Sequence, residues 1–146
     1  MILDRRNFLI GSSAALLGLA AGTLPARAAE TIKIRDIYKN QNEFSDTAKR
    51  LAGKHIEIPG FMAPPLKADA NFFVLTKRPM SVCPFCETSA DWPNDIVFVR
   101  MHKKLDAVRF NRPIIARGVL ELGVAKDQET GFVSLVRLVD ASFDLV

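Results

Sequence analysis

The chain has 146 residues, of which 49% are hydrophobic and 25% charged, which is typical of one globular domain and excludes a disordered or low-complexity chain. Its two cysteines are too few for the disulfide framework of a small secreted domain. The net charge of +4 is scattered rather than clustered, and so excludes nucleic acid as an expected partner.

Residues 1–28 have the three parts of an export signal. A charged start is followed by an apolar stretch of about 14 residues and by a small-residue cleavage signal, Ala26-x-Ala28. As a helix this stretch spans only ~21 Å, which is too short for a hydrocarbon core of ~30 Å. We therefore expect a signal peptide cleaved near Ala28 and a periplasmic mature protein with no membrane span. The mature chain has 118 residues and a net charge of +2, since the removed segment holds three arginines and one aspartate.

The start of this signal, Arg5-Arg6-Asn7-Phe8-Leu9, resembles the twin-arginine motif, in which paired arginines precede x-Phe-Leu. The resemblance implies twin-arginine translocation, the export route that carries folded proteins. Two neighbouring positions depart from the motif. Asp4 stands where Ser or Thr is usual, and Ile10 stands where Lys is usual.

Residues 29–42 are polar, and we expect them to form a partly ordered lead-in before a single domain over residues 43–146. Ser45 is placed to cap a short helix, because apolar residues recur at helical spacing just after it. Gly53 is placed to end that helix. The sequence therefore predicts one short N-terminal helix before the strands begin.

Five strand-like segments follow the helix, at residues 55–62, 71–76, 96–101, 113–122 and 132–138. Pro59-Gly60 is expected to break or bulge the first segment, and Gly118 is expected to bend the fourth. Five strands with a bent fourth strand predict a mainly β fold, namely a small five-stranded OB-like barrel preceded by the helix.

The chemically distinctive motif is Cys83-Pro84-Phe85-Cys86, in the connection between two predicted strands. Two thiols at this spacing can hold one metal ion, form a tight disulfide or cycle as a redox pair. The oxidising periplasm favours a disulfide, which would shape a recognition loop. A Zn or Cu site needs one or two further ligands. The candidates are the histidines His55 and His102, with oxygen and thioether donors at Glu87, Asp91, Asp95, Met62, Met80 and Met101.

Thiol–disulfide exchange by Cys83 and Cys86 is the alternative function. The apolar strand before the motif is similar to the strand–motif junction of glutaredoxins and periplasmic disulfide oxidoreductases. In that fold the first cysteine caps a long helix whose N-terminus stabilises the thiolate. Here only six residues separate Cys86 from Pro93, which leaves no room for such a helix. Glu87 and Asp91 would also raise the pKa of a nearby thiol.

Phe61, Pro64 and Pro65 form an apolar stretch that can dock a partner, because exposed apolar residues around proline often mark interaction sites. The alternative is that Phe61 plugs one end of the barrel while the two prolines stiffen the connection. Both interpretations place Phe61 where the first strand ends.

The chain resembles a family of uncharacterised exported bacterial proteins at residues 60–66 (GFMAPPL), 72–75 (FFVL), 83–86 (CPFC), 91–93 (DWP) and 96–97 (IV). The resemblance covers most of the mature chain and implies a small β-barrel domain without an established activity. We therefore predict a non-catalytic periplasmic binding or accessory protein. Its expected partner is a metal ion or a cell-envelope protein.

Overall fold

The structure is a computed structural model that describes residues 27–41, 43–65, 67, 69–82 and 92–146. The predicted mainly β class is confirmed. In chain order the elements are β1 (Glu30–Thr31), a 3₁₀ turn (Ile34–Asp36), β2 (Tyr38–Asn40), β3 (Glu43–Phe44), α1 (Asp46–Leu51), β4 (His55–Met62), β5 (Phe72–Thr76), β6 (Ile96–Met101), β7 (Pro113–Lys126) and β8 (Val133–Leu145). The expected signal peptide falls almost entirely outside these residues. Within them, no helix has the length and apolarity needed to cross a membrane.

The helix α1 begins and ends at the residues that the sequence predicts. Ser45 Oγ accepts a hydrogen bond from the Ala48 N–H at 3.1 Å and so caps the helix. The same hydroxyl donates to the Asp36 carbonyl at 2.6 Å, which ties α1 to the 3₁₀ turn. After the helix, Gly53 has a φ of 78°, the left-handed conformation that commonly terminates helices.

Five strands pair in a cycle. β4 pairs with β5 and β5 with β6, both antiparallel. β6 then pairs with β8 in parallel, β8 with β7 antiparallel, and β7 with β4 antiparallel, which returns the pairing to its first strand. β1 adds in parallel to the edge of β4, while β2 and β3 form a separate hairpin. Alternate side chains of the five strands meet in one main core.

Residues 29–42, expected as a polar lead-in, contribute to this core. Ile32, Ile34 and Ile37 are at most 3% exposed and pack in the same cluster as the inner residues of β4 and β5. The three isoleucines are separated by charged residues, so the average polarity of the segment hides its apolar side. The packed part of the chain therefore extends back to β1.

β4 runs unbroken through Pro59 and Gly60, where the sequence predicts a break or a bulge. Its register with β7 has no shift along the paired length. The carbonyl of Glu57 accepts from the chain just after β1, and the carbonyl of Phe61 accepts from the Thr76 hydroxyl at the end of β5. Pro59 lies midway between them and faces the same edge, in the interval between β1 and β5. It is tolerated because no neighbouring strand there requires its N–H.

Gly118 lies opposite a β-bulge, and so the predicted bend has its cause in the neighbouring strand. The registers of β8 with both β7 and β6 shift by one residue at this level. The extra residue is Asp140 on β8, whose φ of 56° is left-handed. A Cβ at Gly118 would lie 2.7 Å from the Val139 carbonyl, so the close approach of β8 requires glycine there.

β5 and β6 are buried on both faces, which explains their uninterrupted apolar sequences. One face belongs to the main core. The other face forms a second apolar layer, made by Phe72, Val74, Ile96 and Phe98. Trp92 and Phe132 pack over this layer, and the Phe132 ring stacks on Phe98 with 5.3 Å between centroids.

Candidate functional site

Cys83 and Cys86 belong to residues 83–91, which lie outside the described residues, but the structure describes the base of the loop that carries them. This cysteine loop, residues 77–95, connects the antiparallel neighbours β5 and β6. Thr76 pairs with Ile96 where the loop leaves the sheet, and the Lys77 N–H donates to the Asp95 carbonyl at 3.1 Å. Backbone pairing therefore closes the loop at its base.

Trp92 anchors the returning side of the cysteine loop. Its indole N–H donates to the Tyr38 hydroxyl at 3.0 Å, and its ring meets Phe132 edge-on with 6.0 Å between centroids. Burial raises the pKa of Tyr38, while the hydrogen bond from Trp92, which favours the phenolate, lowers that pKa in part. Tyr38 is therefore neutral at physiological pH, and its oxygen accepts the indole N–H.

A pocket of about 510 Å³ opens beside this anchor. Its lining combines three aromatic rings with two side-chain amides and consists of Tyr38, Gln41, Phe44, Trp92, Pro93, Asn94 and Leu135. Rings and amides of this kind can stack on an apolar group and fix it by hydrogen bonds. The sequence does not predict this pocket, because Tyr38 and Gln41 come from the segment expected as a lead-in. The aromatic pair Tyr38 and Phe44, 5.3 Å apart, was the signal available at the end of that segment.

The two histidines lie far along their strands from the base of the cysteine loop. His55 begins β4, and β4 meets the end of β5 only at Phe61, six residues or about 20 Å further along an extended strand. His102 follows β6, whose opposite end at Ile96 receives the loop, again about 20 Å away. The strands thus hold neither histidine next to the points where the loop leaves and enters the sheet.

His102 has a carboxylate partner of its own. Its Nδ1 lies 2.6 Å from Asp140 Oδ1, and both side chains are more than half exposed. Such a contact fixes the ring orientation and leaves Nε2 as the available nitrogen. Among the described residues, which exclude both cysteines, no group of three or more His, Cys, Asp and Glu side chains is arranged to hold a metal ion.

The remaining ligand candidates divide by position. Met62 is fully buried and Met101 packs against the main core, so both act as apolar filling. Met80 and Asp95 lie on the cysteine loop itself. Glu87 and Asp91 lie within residues 83–91, outside the described part of the chain.

Phe61 lines a groove of about 390 Å³ on the edge of β4, which we call the Phe61 groove. The groove occupies the interval between β1 and β5 that Pro59 faces. Its lining consists of Lys33, Ile34, Arg35, Pro59, Gly60, Phe61, Lys77, Pro113, Ile114 and Val146. Pro64 and Pro65 follow β4, are half-buried, and are not part of this lining. Lys77 also begins the cysteine loop, so the groove and the loop adjoin.

No family model matches the chain, and no curated protein matches it. Among solved structures, the chain is similar to the crystal structure of a DUF3299 family protein from Pseudomonas aeruginosa PAO1. The TM-score is 0.52 and the sequence identity is 15%, over 82% of this chain and 97% of that chain. At this identity the similarity concerns the fold alone.

Proposed function

We propose that the protein is an exported periplasmic binding or accessory protein built on a five-stranded OB-like barrel. Its cysteine loop is then a transition-metal half-site or a disulfide-shaped recognition loop. The observation that carries the proposal is the base of that loop, where two antiparallel neighbours hold the chain before and after Cys83 and Cys86 in backbone pairing.

The order of strand pairing supports the barrel. The Leu120 N–H bonds the Lys54 carbonyl, and from there the registers lead through Leu138 and Val99 to Phe73. The register of β5 with β4 places Phe73 opposite residue 64. The path through the five strands therefore starts at residue 54 and returns to the chain ten residues further along. A cycle that returns to its first strand further along has the stagger of tilted barrel strands.

Solution NMR tests this closure. Cross-strand contacts between amide protons are expected both for β4 with β7 and for β6 with β8, since these pairings complete the cycle. The crossing that places β8 between β6 and β7 is the kind of connection found in five-stranded Greek-key barrels. If either set of contacts is missing, the sheet is open and the OB-like description is wrong.

The base of the cysteine loop favours a binding role over thiol–disulfide exchange. In the glutaredoxin-like arrangement, the strand before the cysteines leads into a long helix that stabilises the thiolate. Here the chain returns into the antiparallel neighbour of that strand, and Trp92 is already fixed on Tyr38 at the end of the return. Only residues 83–91 remain for any helix between Val82 and Trp92.

The positions of the histidines guide the metal form of the proposal. Because His55 and His102 lie about 20 Å along their strands from the base of the loop, they reach Cys83 and Cys86 only if the loop extends along the sheet. Oxygen donors on the loop itself, such as Asp95, are closer in the chain. We therefore propose that Cys83 and Cys86 bind Zn or Cu together with ligands from the loop or from a partner.

The partner surface of the proposal is the side that carries Phe61, Pro64 and Pro65. Phe61 lines the groove beside Lys77, the first residue of the cysteine loop, so that a cell-envelope partner docked there would also meet the loop. The two prolines extend this side beyond the end of β4. A docking surface beside the base of the cysteine loop is what an accessory protein of this kind needs.

The test is the state of the two thiols in the mature chain, residues 29–146, purified from both the periplasm and the cytoplasm. We expect either stoichiometric Zn or Cu with both thiols protected from alkylation, or a disulfide that glutathione does not reduce. The variant Cys83→Ser/Cys86→Ser loses the metal or the bond but stays folded, because a loop of about four residues contributes only ~2 kcal/mol. Elemental analysis, mass spectrometry and thermal unfolding measure these outcomes.

Two further results decide between the alternatives. A reversible pair with a potential of about −120 to −270 mV, together with turnover of a disulfide substrate, would make the protein an oxidoreductase. If the metal form is found, His102→Ala and His55→Ala are expected to keep the metal. Loss of metal in either variant assigns that histidine as a ligand and shows that the loop extends along the sheet.

A further inference from the structure

We propose that the Phe61 groove binds a small apolar carboxylate, such as an acyl chain that ends in a carboxylate. The groove adjoins the cysteine loop at Lys77, but its binding does not depend on whether the cysteines hold a metal or form a disulfide. Its ligand lies on the apolar floor of the groove, and its charged end meets the cations around the rim.

The position of the groove excludes pairing with an added strand. β1 is paired with β4 at Ile56 and Glu57, and β5 begins its pairing at Phe61. In the interval between them, the residue whose backbone faces outward is Pro59, which has no N–H to donate. A β-strand added here would lack this hydrogen bond. The occupant is therefore bound through side-chain surfaces and charge, not by extension of the sheet.

The floor of the groove is apolar. Ile34 and Ile114 are at most 2% exposed, and Pro59, Phe61 and Pro113 add the apolar walls. Gly60 adds only backbone to the lining, because the space for a Cβ there is taken by Leu75 and the Thr76 carbonyl. A volume of about 390 Å³ lies within the usual range for small-molecule sites, about 300–1,000 Å³.

The charged side chains around the rim are of one sign. Lys33, Arg35 and Lys77 line the groove, and none of its described lining residues has an acidic side chain. The Arg35 guanidinium is partly neutralised by Asp36, 3.5 Å away. The side chains of Lys33 and Lys77 form no ion pair with any residue that the structure describes. An apolar group with a negative end complements this arrangement, whereas one with a positive end is repelled.

An NMR titration of the folded mature chain tests the proposal with sodium decanoate as the probe. Decyltrimethylammonium is the matched control, because it has the same chain length and the opposite charge. We expect decanoate to give saturable shifts of the Lys33, Phe61 and Ile114 amides, with a dissociation constant of about 1 mM or lower. The ammonium probe is expected to give no saturable shift at these amides.

Charge-reversal variants identify the rim. Lys33→Glu/Lys77→Glu is expected to weaken decanoate binding about tenfold or more, because both substitutions turn attraction into repulsion. Lys39→Glu, an exposed lysine on β2 outside the groove, is the matched control and leaves the affinity unchanged.

Three results would overturn the proposal: no saturable shift at the groove, equal shifts with the ammonium probe, or unchanged affinity in the double variant. Cys83→Ser/Cys86→Ser is expected to bind decanoate like the parent chain. Failure of the cysteine proposal and failure of the groove proposal are therefore distinguishable.

Discussion

The hydrogen bond between Trp92 and Tyr38 offers the sharpest test of how the cysteine loop is held. These are the single tryptophan and the single tyrosine of the chain. Trp92→Phe removes the indole N–H, Tyr38→Phe removes the hydroxyl that accepts it, and the double variant removes both. Each ring stays aromatic, so the double-mutant cycle isolates the hydrogen bond from most of the packing.

The expected magnitude follows from the 3.0 Å distance and the partial burial of the pair. A neutral hydrogen bond of this kind contributes about 0.5–1.5 kcal/mol, and a partner left unpaired costs about 1–3 kcal/mol. We therefore expect each single variant to lower the free energy of unfolding by about 1–2 kcal/mol. The coupling energy should be close to 1 kcal/mol. Urea unfolding followed by circular dichroism measures all four proteins.

The same pair gives a second, independent readout, because the chain has a single tyrosine and its phenolate absorbs differently from the neutral phenol. Burial holds the pKa of Tyr38 above its ordinary value, and the Trp92 N–H, which stabilises the phenolate, opposes this. Trp92→Phe is therefore expected to move the pKa of Tyr38 further upward. Since the folded-state pKa is the higher one, stability is complete below about pH 10 and falls as pH rises above it.

Loosening of the cysteine loop is the functional consequence. Proteolysis of residues 83–91 is expected to be faster in Trp92→Phe than in the parent chain, because the return of the loop has lost its polar anchor. A coupling energy of zero, together with an unchanged pKa of Tyr38, would refute the view that Trp92 is fixed on Tyr38.

Four other substitutions test the framework. Gly60→Ala places a Cβ 2.7 Å from a backbone carbonyl and is expected to lower the free energy of unfolding by about 2 kcal/mol or more. The control is Gly53→Ala, whose Cβ meets no atom within 4 Å. It is expected to lower the free energy of unfolding by only about 1 kcal/mol, because the backbone there is left-handed. Equal costs in urea unfolding would contradict the close approach. Ser45→Ala is expected to cost about 1 kcal/mol through loss of the helix cap, and no loss would show that the cap is unimportant. The Arg117 guanidinium, which bonds Glu57 at 2.6 Å, lowers the pKa of that carboxyl. The stability that this pair supplies is present above about pH 4.5 and is lost as the pH falls. Arg117→Met should therefore make the free energy of unfolding less dependent on pH in the acid range. An unchanged dependence would refute the pairing.

Local signals in the sequence predict the local parts of the fold. Ser45 and Gly53 bound α1 because capping depends only on neighbouring residues. The five predicted strands exist because alternation and apolar runs record which faces are buried. The lengths of β7 and β8 are underestimated for one reason. β7 contains a bulge at Gly123 and β8 contains one at Asp140. At each bulge an extra residue interrupts the alternation of buried and exposed side chains, but the strand continues beyond it.

The site depends on contacts that no local pattern contains. Tyr38 and Trp92 are 54 residues apart, and the Phe61 groove is assembled from segments before β2, within β4, after β5 and at the ends of β7 and β8. The cysteine motif is visible in the sequence, but only the order of the strands shows which residues lie near the base of its loop. The same order places His55 and His102 away from the base of the cysteine loop, which spacing in the chain does not show.

The placement of β8 has a consequence for how the protein is made. A nascent chain that has emerged from the ribosome only as far as β7 lacks the strand that β6 and β7 both pair with, and so it cannot complete the cycle. β8 must therefore be synthesised before cooperative folding begins. Contacts between segments some 40 residues apart in sequence keep that folding in the slower, millisecond-to-second range of non-local β topologies. Until then the apolar segments of β5 and β6 are exposed to water, and holdase chaperones have that interval in which to bind them.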